Sequence, residues 1–153
     1  MTRYLLDVNV LVALQTGDSL VLERAQKWFE QTGSESFATC AITEAGFVRV
    51  SAQLKAKGGP IDFTEFKIAL STLAALPGHA YWPMDISYLE ATDRFGPRMQ
   101  GPKQVTDAFL LGLAIHHGGK LATLDNGGTA RWRLWGFEDP GVWGILWLSC
   151  WRR

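Results

Sequence analysis

Cysteine is scarce in this chain: 153 residues carry two, Cys40 and Cys150. They show no metal-ligand spacing and form no disulfide framework of the secreted kind. An excess of charge of either sign is also missing. Lys plus Arg number 15, Asp plus Glu number 15, and the formal net charge is zero. That excludes a strongly basic nucleic-acid-binding body, but not a local basic patch, because net charge does not describe surface distribution. No apolar run reaches the roughly 20 residues of a membrane-spanning helix. A leader peptide is not expected either, since Asp7 and Asn9 interrupt what would be its apolar core. Repeats and low-complexity segments are absent. No Ser, Cys or His arrangement suggests a covalent nucleophile. Gly118-Gly119 lacks the spacing and the Lys-Ser/Thr ending of a phosphate-binding loop. The expectation is one soluble, cytoplasmic domain over residues 1–153, without a membrane segment and large enough to bury its own core.

What is present is a globular composition, 47% apolar and 20% charged, with seven Trp gathered towards the C-terminus. Near the start, Leu5-Leu-Asp7-Val-Asn9-Val-Leu reads as a buried strand running straight into a short helix. A strand's two-residue period would put Asp7 and Asn9 on one side at its end. Val21, Leu22, Ala25, Trp28 and Phe29 recur at helical spacing, with Asp18 or Ser19 as cap and Gly33 as stop. Ser36 to Thr39 reads as a second strand. Ile42 to Leu54 reads as a helix that Gly58-Gly59-Pro60 ends, with Glu44 in its first turn. Asp62 and Glu65 have the form of a capping box before an apolar face of Phe66, Ala69, Leu70 and Leu73. His79 to Trp82 is a brief strand, and Ser87 with Glu90 caps a helix to about Phe95. Gly96 to Pro102 holds two Gly-Pro breaks and reads as a loop. The helix after Val105 is apolar on nearly every side, hence buried, with Gly118-Gly119 as its C-cap. Lys120 to Leu124 is a strand, and Asp125 opens the turn after it. Trp143 to Leu148 reads as a last strand, with an edge-covering helix as the alternative. This alternation predicts an α/β protein, a parallel sheet with helices on both faces.

Four acids occupy comparable places on that plan. Asp7 ends the first strand, Glu44 opens the helix after the second, Asp107 opens the buried helix, and Asp125 ends the strand after it. Strand C-termini and helix N-termini of a parallel sheet share one edge, so acids distant in sequence can meet there. Converging carboxylates repel unless a cation relieves them. Oxygen ligands without a His or Cys set favour Mg²⁺ or Mn²⁺, and such a site suits phosphodiester hydrolysis. Each acid has an ordinary reading as well: turn residue or cap for Asp7 and Asp125, helix-dipole partner for Glu44 and Asp107. Their joint placement favours the site. His116-His117, at a helix C-terminus, reads as a cap rather than a metal ligand.

Four stretches carry a family resemblance: Leu5-Leu-Asp7-Val-Asn9-Val-Leu, Ile42-Thr-Glu44-Ala-Gly46-Phe-Val-Arg49-Val, Thr106-Asp107-Ala-Phe-Leu-Leu-Gly-Leu-Ala114 and Gly119-Lys-Leu-Ala-Thr123-Leu-Asp125. In that order the chain resembles a PIN-domain ribonuclease toxin of the virulence-associated protein C type, from type II toxin–antitoxin pairs. The resemblance implies a three-layer α/β/α sandwich around a parallel sheet. It implies that Asp7, Glu44, Asp107 and Asp125 form an acidic quartet for Mg²⁺ or Mn²⁺, the first and third touching the metal most directly. Asn9 and Thr123 would orient those carboxylates. Arg49 matches an arginine common in the subgroup, open to an RNA or partner contact and equally to a solvated helix position. An endoribonuclease acting on structured RNA such as a transfer RNA, a homodimer and a cognate antitoxin are implied too. Two other readings stand beside it: a PIN-type RNA-processing nuclease outside any toxin pair, and a non-catalytic binding protein with structural acids.

Overall fold

The computed structural model describes residues 1–15, 20–95, 99, 101–102, 104–125 and 131–135. Leu5 and Leu6 are both fully buried, on opposite faces of β1 (Tyr4–Leu6), and a sheet extends to either side of them. β2 (Phe37–Thr39) and β4 (Lys120–Asp125) flank β1, both parallel to it, with Tyr4 in register with Phe37 and with Lys120. β3 (His79–Tyr81) adds in parallel outside β2, and β5 (Arg131–Trp135) adds antiparallel outside β4. The order is β3-β2-β1-β4-β5. The chain therefore steps outward from β1 to β3, then crosses back to lay β4 on the other side of β1. Strand order reverses between β1 and β4, the kind of place where a crevice opens beyond the strand C-termini.

Helices α1 (Val8–Gln15), α2 (Leu20–Gln31), α3 (Ala41–Lys55), α4 (Phe63–Ala74), α5 (Tyr88–Thr92) and α6 (Gln104–His116) connect the strands. The alternation of side chains along each strand sorts the core into two layers. Leu5, Ala38 and Leu121 pack with Phe95, Leu110, Leu111 and Leu113 on the α5–α6 face. Leu6, Phe37 and Ala122 pack with Val10, Phe29, Phe47 and Phe66 on the face of the first four helices. This is the expected α/β/α sandwich, with four parallel strands at its centre.

The structure departs from the sequence reading in four places. Asn9 is not on a strand: β1 stops at Leu6 and Asn9 lies in the first turn of α1. β5 was not expected, although Arg131-Trp-Arg-Leu-Trp135 alternates charged and apolar residues as an antiparallel edge strand does. Asp62 caps α4 alone, accepting from the Thr64 N–H at 2.8 Å, while Glu65 pairs with Lys55 instead of reaching back. α5 ends at Thr92, short of Phe95. The expected cap at Asp18 or Ser19 and the expected strand at Trp143 to Leu148 lie outside the described residues. Among the described residues, no helix is long and apolar enough to cross a membrane.

α6 is the buried helix, and one residue lets α5 lie close against it. A Cβ added at Gly112 would run into the Ala91 carbonyl of α5. That is backbone, which cannot swing aside. Gly112→Ala should therefore cost about 1–3 kcal/mol, read as a lower urea midpoint at unchanged slope.

Candidate active site

Asp7 sits where β1 becomes α1, and both its backbone and its side chain are held. Its N–H donates to the Ala122 carbonyl of β4 at 3.0 Å, and its own carbonyl accepts from Val10 at 3.0 Å and Leu11 at 3.1 Å. Its Oδ1 accepts from the Val8 N–H at 2.7 Å, and its Oδ2 accepts from the Thr123 hydroxyl at 2.7 Å. Asp7 thus starts α1 as an N-cap whose carboxylate faces β4.

That handover leaves a gap in the ladder. In a continuing parallel strand, the groups of Leu124 that face β1 would meet backbone; here the Asp7 carbonyl serves α1. Asn9 fills the gap. Its Nδ2 donates to the Leu124 carbonyl at 3.0 Å, its Oδ1 accepts from the Leu124 N–H at 3.1 Å, and Nδ2 also donates to Thr123 Oγ1 at 3.0 Å. The Asn side chain stands in for one residue of strand and fixes the Thr123 hydroxyl, which in turn fixes Asp7.

Asp107 lies in the first turn of α6, the helix that covers β1 and β4. Burial, and then the charge of Asp7, push its carboxyl up to about 6. Burial pushes Asp7 up as well, against the opposing pull of its bonds to Thr123 and Val8. The structure therefore brings Asp7 and Asp107 together, close enough for one charge to disfavour the other.

Glu44 lies in the first turn of α3, at the exit of β2. Its helix reaches the site because residue 46 is Gly: a Cβ there would collide with Val8, the residue after Asp7. Glu44 Oε1 accepts from the Thr39 hydroxyl at 2.7 Å, and His79 Nε2 lies 2.8 Å from the same Thr39 oxygen. Burial pushes the His79 imidazole below its ordinary value, outweighing the opposite effect of the Glu44 charge, and Arg3 adds to the lowering. Neither Thr39 nor His79 stood out in the sequence. A strand-end hydroxyl five residues before an acid was the only hint of Thr39, and nothing local marked His79.

Asp125 is the last residue of β4, in register with Arg131 of β5; its side chain lies outside the described ones. Sheet order nevertheless sets its backbone beside the end of β1, as it sets the start of α3 on the opposite side. Arg49 is exposed on α3 and faces an open apolar groove of about 610 Å³ with Val48, Ala52, Ile61 and Phe63.

A tighter cluster of metal-type side chains exists elsewhere. Among the described residues, Asp85, His116 and His117 bring their ligand atoms within 4.8 Å of one another. Asp85 Oδ1 lies 3.3 Å from His116 Nε2 and 3.1 Å from His117 Nε2, and the His117 ring stacks on Trp82 at 4.9 Å. This group closes the C-terminal end of α6, about 13 Å along the helix from Asp107 at 1.5 Å per residue. It does not belong to the acidic site, and the polar side-chain contacts of its histidines run to Asp85 and the Pro83 carbonyl.

The acidic site suits a hard divalent cation. The donors at hand are carboxylate oxygens, two of them half-buried, and a cation would offset the burial that raises both and the Asp7 charge that raises Asp107 further.

A family model for the PIN domain matches residues 4–130. The chain is 40% identical over 123 residues to ribonuclease VapC44 of Mycobacterium tuberculosis, covering 80% of this chain and 86% of that protein. It is 41% identical over 123 residues to ribonuclease VapC38 of the same organism, covering 80% and 85%. With ribonuclease VapC29, again of that organism, identity is 34% over 126 residues, covering 80% and 86%.

Proposed function

The chain belongs to the PIN-domain family, and from that premise we propose that it is a metal-dependent endoribonuclease, the toxin of a type II toxin–antitoxin pair. The observation that carries the reading is the raised, charge-coupled pair Asp7 and Asp107 at the switch point of a parallel sheet. The names of the VapC ribonucleases point the same way. Residues 1–153 are read as one domain working in the cytoplasm.

Asp7 and Asp107 hold the ion, with Glu44 and Asp125 on the flanking strand exits to complete the donor set or to orient water. Asn9 and Thr123 keep Asp7 aimed through the hydrogen bonds described above. A bound Mg²⁺ or Mn²⁺ supplies neutralisation of the scissile phosphate and a water acidic enough to attack it. Attack of that water on phosphorus, with the 3′-oxygen as the leaving group, leaves a 5′-phosphate and a 3′-hydroxyl. A structured RNA such as a transfer RNA is the substrate class. The apolar groove beside Arg49 offers an antitoxin segment both a surface and a cation for its acids. Leu89, 78% exposed, and Val105 leave apolar surface on neighbouring α5 and α6 for a second copy to cover.

Purified protein freed of antitoxin should cut bulk RNA with Mg²⁺ or Mn²⁺ and stop when EDTA is added, and the new ends should carry a 5′-phosphate. Cutting that persists in EDTA, or its absence with both metals, would overturn the reading.

A further inference from the structure

We propose that His79, acting through Thr39, is a positioning residue that aims the Glu44 carboxylate at the ion; this rests on the nuclease reading above. A threonine hydroxyl has one proton to give. Here it goes to Glu44 Oε1 at 2.7 Å. The His79 nitrogen 2.8 Å from the same oxygen must then be the donor, so the ring carries its proton on Nε2. The bonds run in one direction, from His79 to Thr39 to Glu44. Thr39 is 2% exposed, so water does not compete for its hydroxyl.

The fold explains how a residue at the start of one strand reaches the exit of its neighbour. β2 and β3 are parallel, with Phe37 opposite His79 and Thr39 opposite Tyr81. Phe37, Thr39 and His79 thus project to one face of the sheet. The Phe37 ring lies 5.3 Å from the imidazole and limits its swing. The imidazole leans along the strand to the Thr39 hydroxyl, two residues nearer the carboxyl edge.

Among the described residues, Glu44 has little else to hold it. The N-cap of α3 is Cys40, which uses Thr43 as its partner, so Glu44 is spared capping work. A free glutamate loses substantial rotamer entropy when it is fixed on an ion. Thr39 fixes it beforehand, and His79 keeps the Thr39 hydroxyl turned towards it. Hydrogen bonds that orient a metal's carboxylates typically matter 10–100-fold in affinity.

The test is Mn²⁺ binding to the metal-free full-length protein, followed by electron paramagnetic resonance, with RNA cleavage titrated against Mn²⁺ in parallel. His79→Leu keeps bulk and removes the donor; Mn²⁺ affinity should fall about 10–100-fold. His79→Gln restores an N–H and should recover most of that loss. In a Thr39→Val background, His79→Leu should cost no more than about twofold further, because its route to Glu44 is already cut. Unchanged affinity in His79→Leu, or an equal loss with and without Thr39, would overturn the proposal while leaving the nuclease reading intact. A wild-type protein that binds no Mn²⁺ would overturn both. Ring nitrogen shifts of His79 in the wild-type protein provide a check that needs no variant: a proton on Nδ1 instead of Nε2 would also sink the idea.

Discussion

Asp7→Asn is expected to lower RNA cleavage at saturating Mg²⁺ by at least about 10²–10³-fold, while the metal-free protein melts no lower than the wild type. The two halves of that result have one cause. Asp7 is a carboxylate that burial disfavours in its charged form. Where it is formed, that charge is a burden on the fold that a bound ion would offset. An amide has the same shape and no charge. Its oxygen still accepts from the Val8 N–H, and its nitrogen can donate to the Thr123 hydroxyl oxygen. The cap on α1 survives; the ligand does not. Cleavage assays with thermal melts in EDTA read both halves. Wild-type cleavage by the variant would remove Asp7 from the machinery, and a large drop in melting temperature would mean that its charge supports the fold.

The second large effect is a pH-dependent response to Mg²⁺. Asp107 is raised from 3.8 to about 6 in the folded protein. The folded state therefore keeps a proton that the unfolded state has already lost. The stability that this group contributes is full below about pH 4 and is lost as pH rises through about 6, a change of about 3 kcal/mol. Asp7 shifts in the same direction and adds to it. Asp62 and Glu90, both lowered by hydrogen bonds at helix starts, act in the opposite direction, so the total pH profile mixes signs. The response to Mg²⁺ isolates the site. At pH 7.5 Asp107 is largely ionised, and a saturating ion should raise the melting temperature by about 5–10 °C. At pH 5 Asp107 is mostly protonated, and the shift should shrink to a degree or two. An equal shift at both pH values would mean that Mg²⁺ acts away from these acids. Asp107→Asn should reduce the difference between the two.

Much of this was legible along the chain, for reasons of range. Helical spacing, strand runs and caps are local, so the ends of α3, α6 and β4 fell within a residue or two of expectation. The four acids could be assigned to strand exits and helix starts because each stood at the boundary of an apolar run. β5 is hard to read along the chain although Arg131 to Trp135 alternates in period two, because the stretch nearer the C-terminus is more apolar and competes as the last strand. Asn9 is ambiguous along the chain for a different reason. Its spacing from Asp7 matches a strand as well as it matches a helix start, and only the pairing of Leu124 decides between them.

By itself the sequence determined the alternation of strands and helices, the burial of α6 and the station of each acid within its own element. These depend on contacts within about four residues. The tertiary structure alone decided that β4 returns to the far side of β1, so that Asp7 lies between two strand exits and raises Asp107 through space. It alone decided that Asn9 completes a ladder 115 positions away and that His79 stands behind Glu44. Hydrogen bonds and charges act over ångströms, and no local pattern encodes which distant residues the fold will bring to that distance.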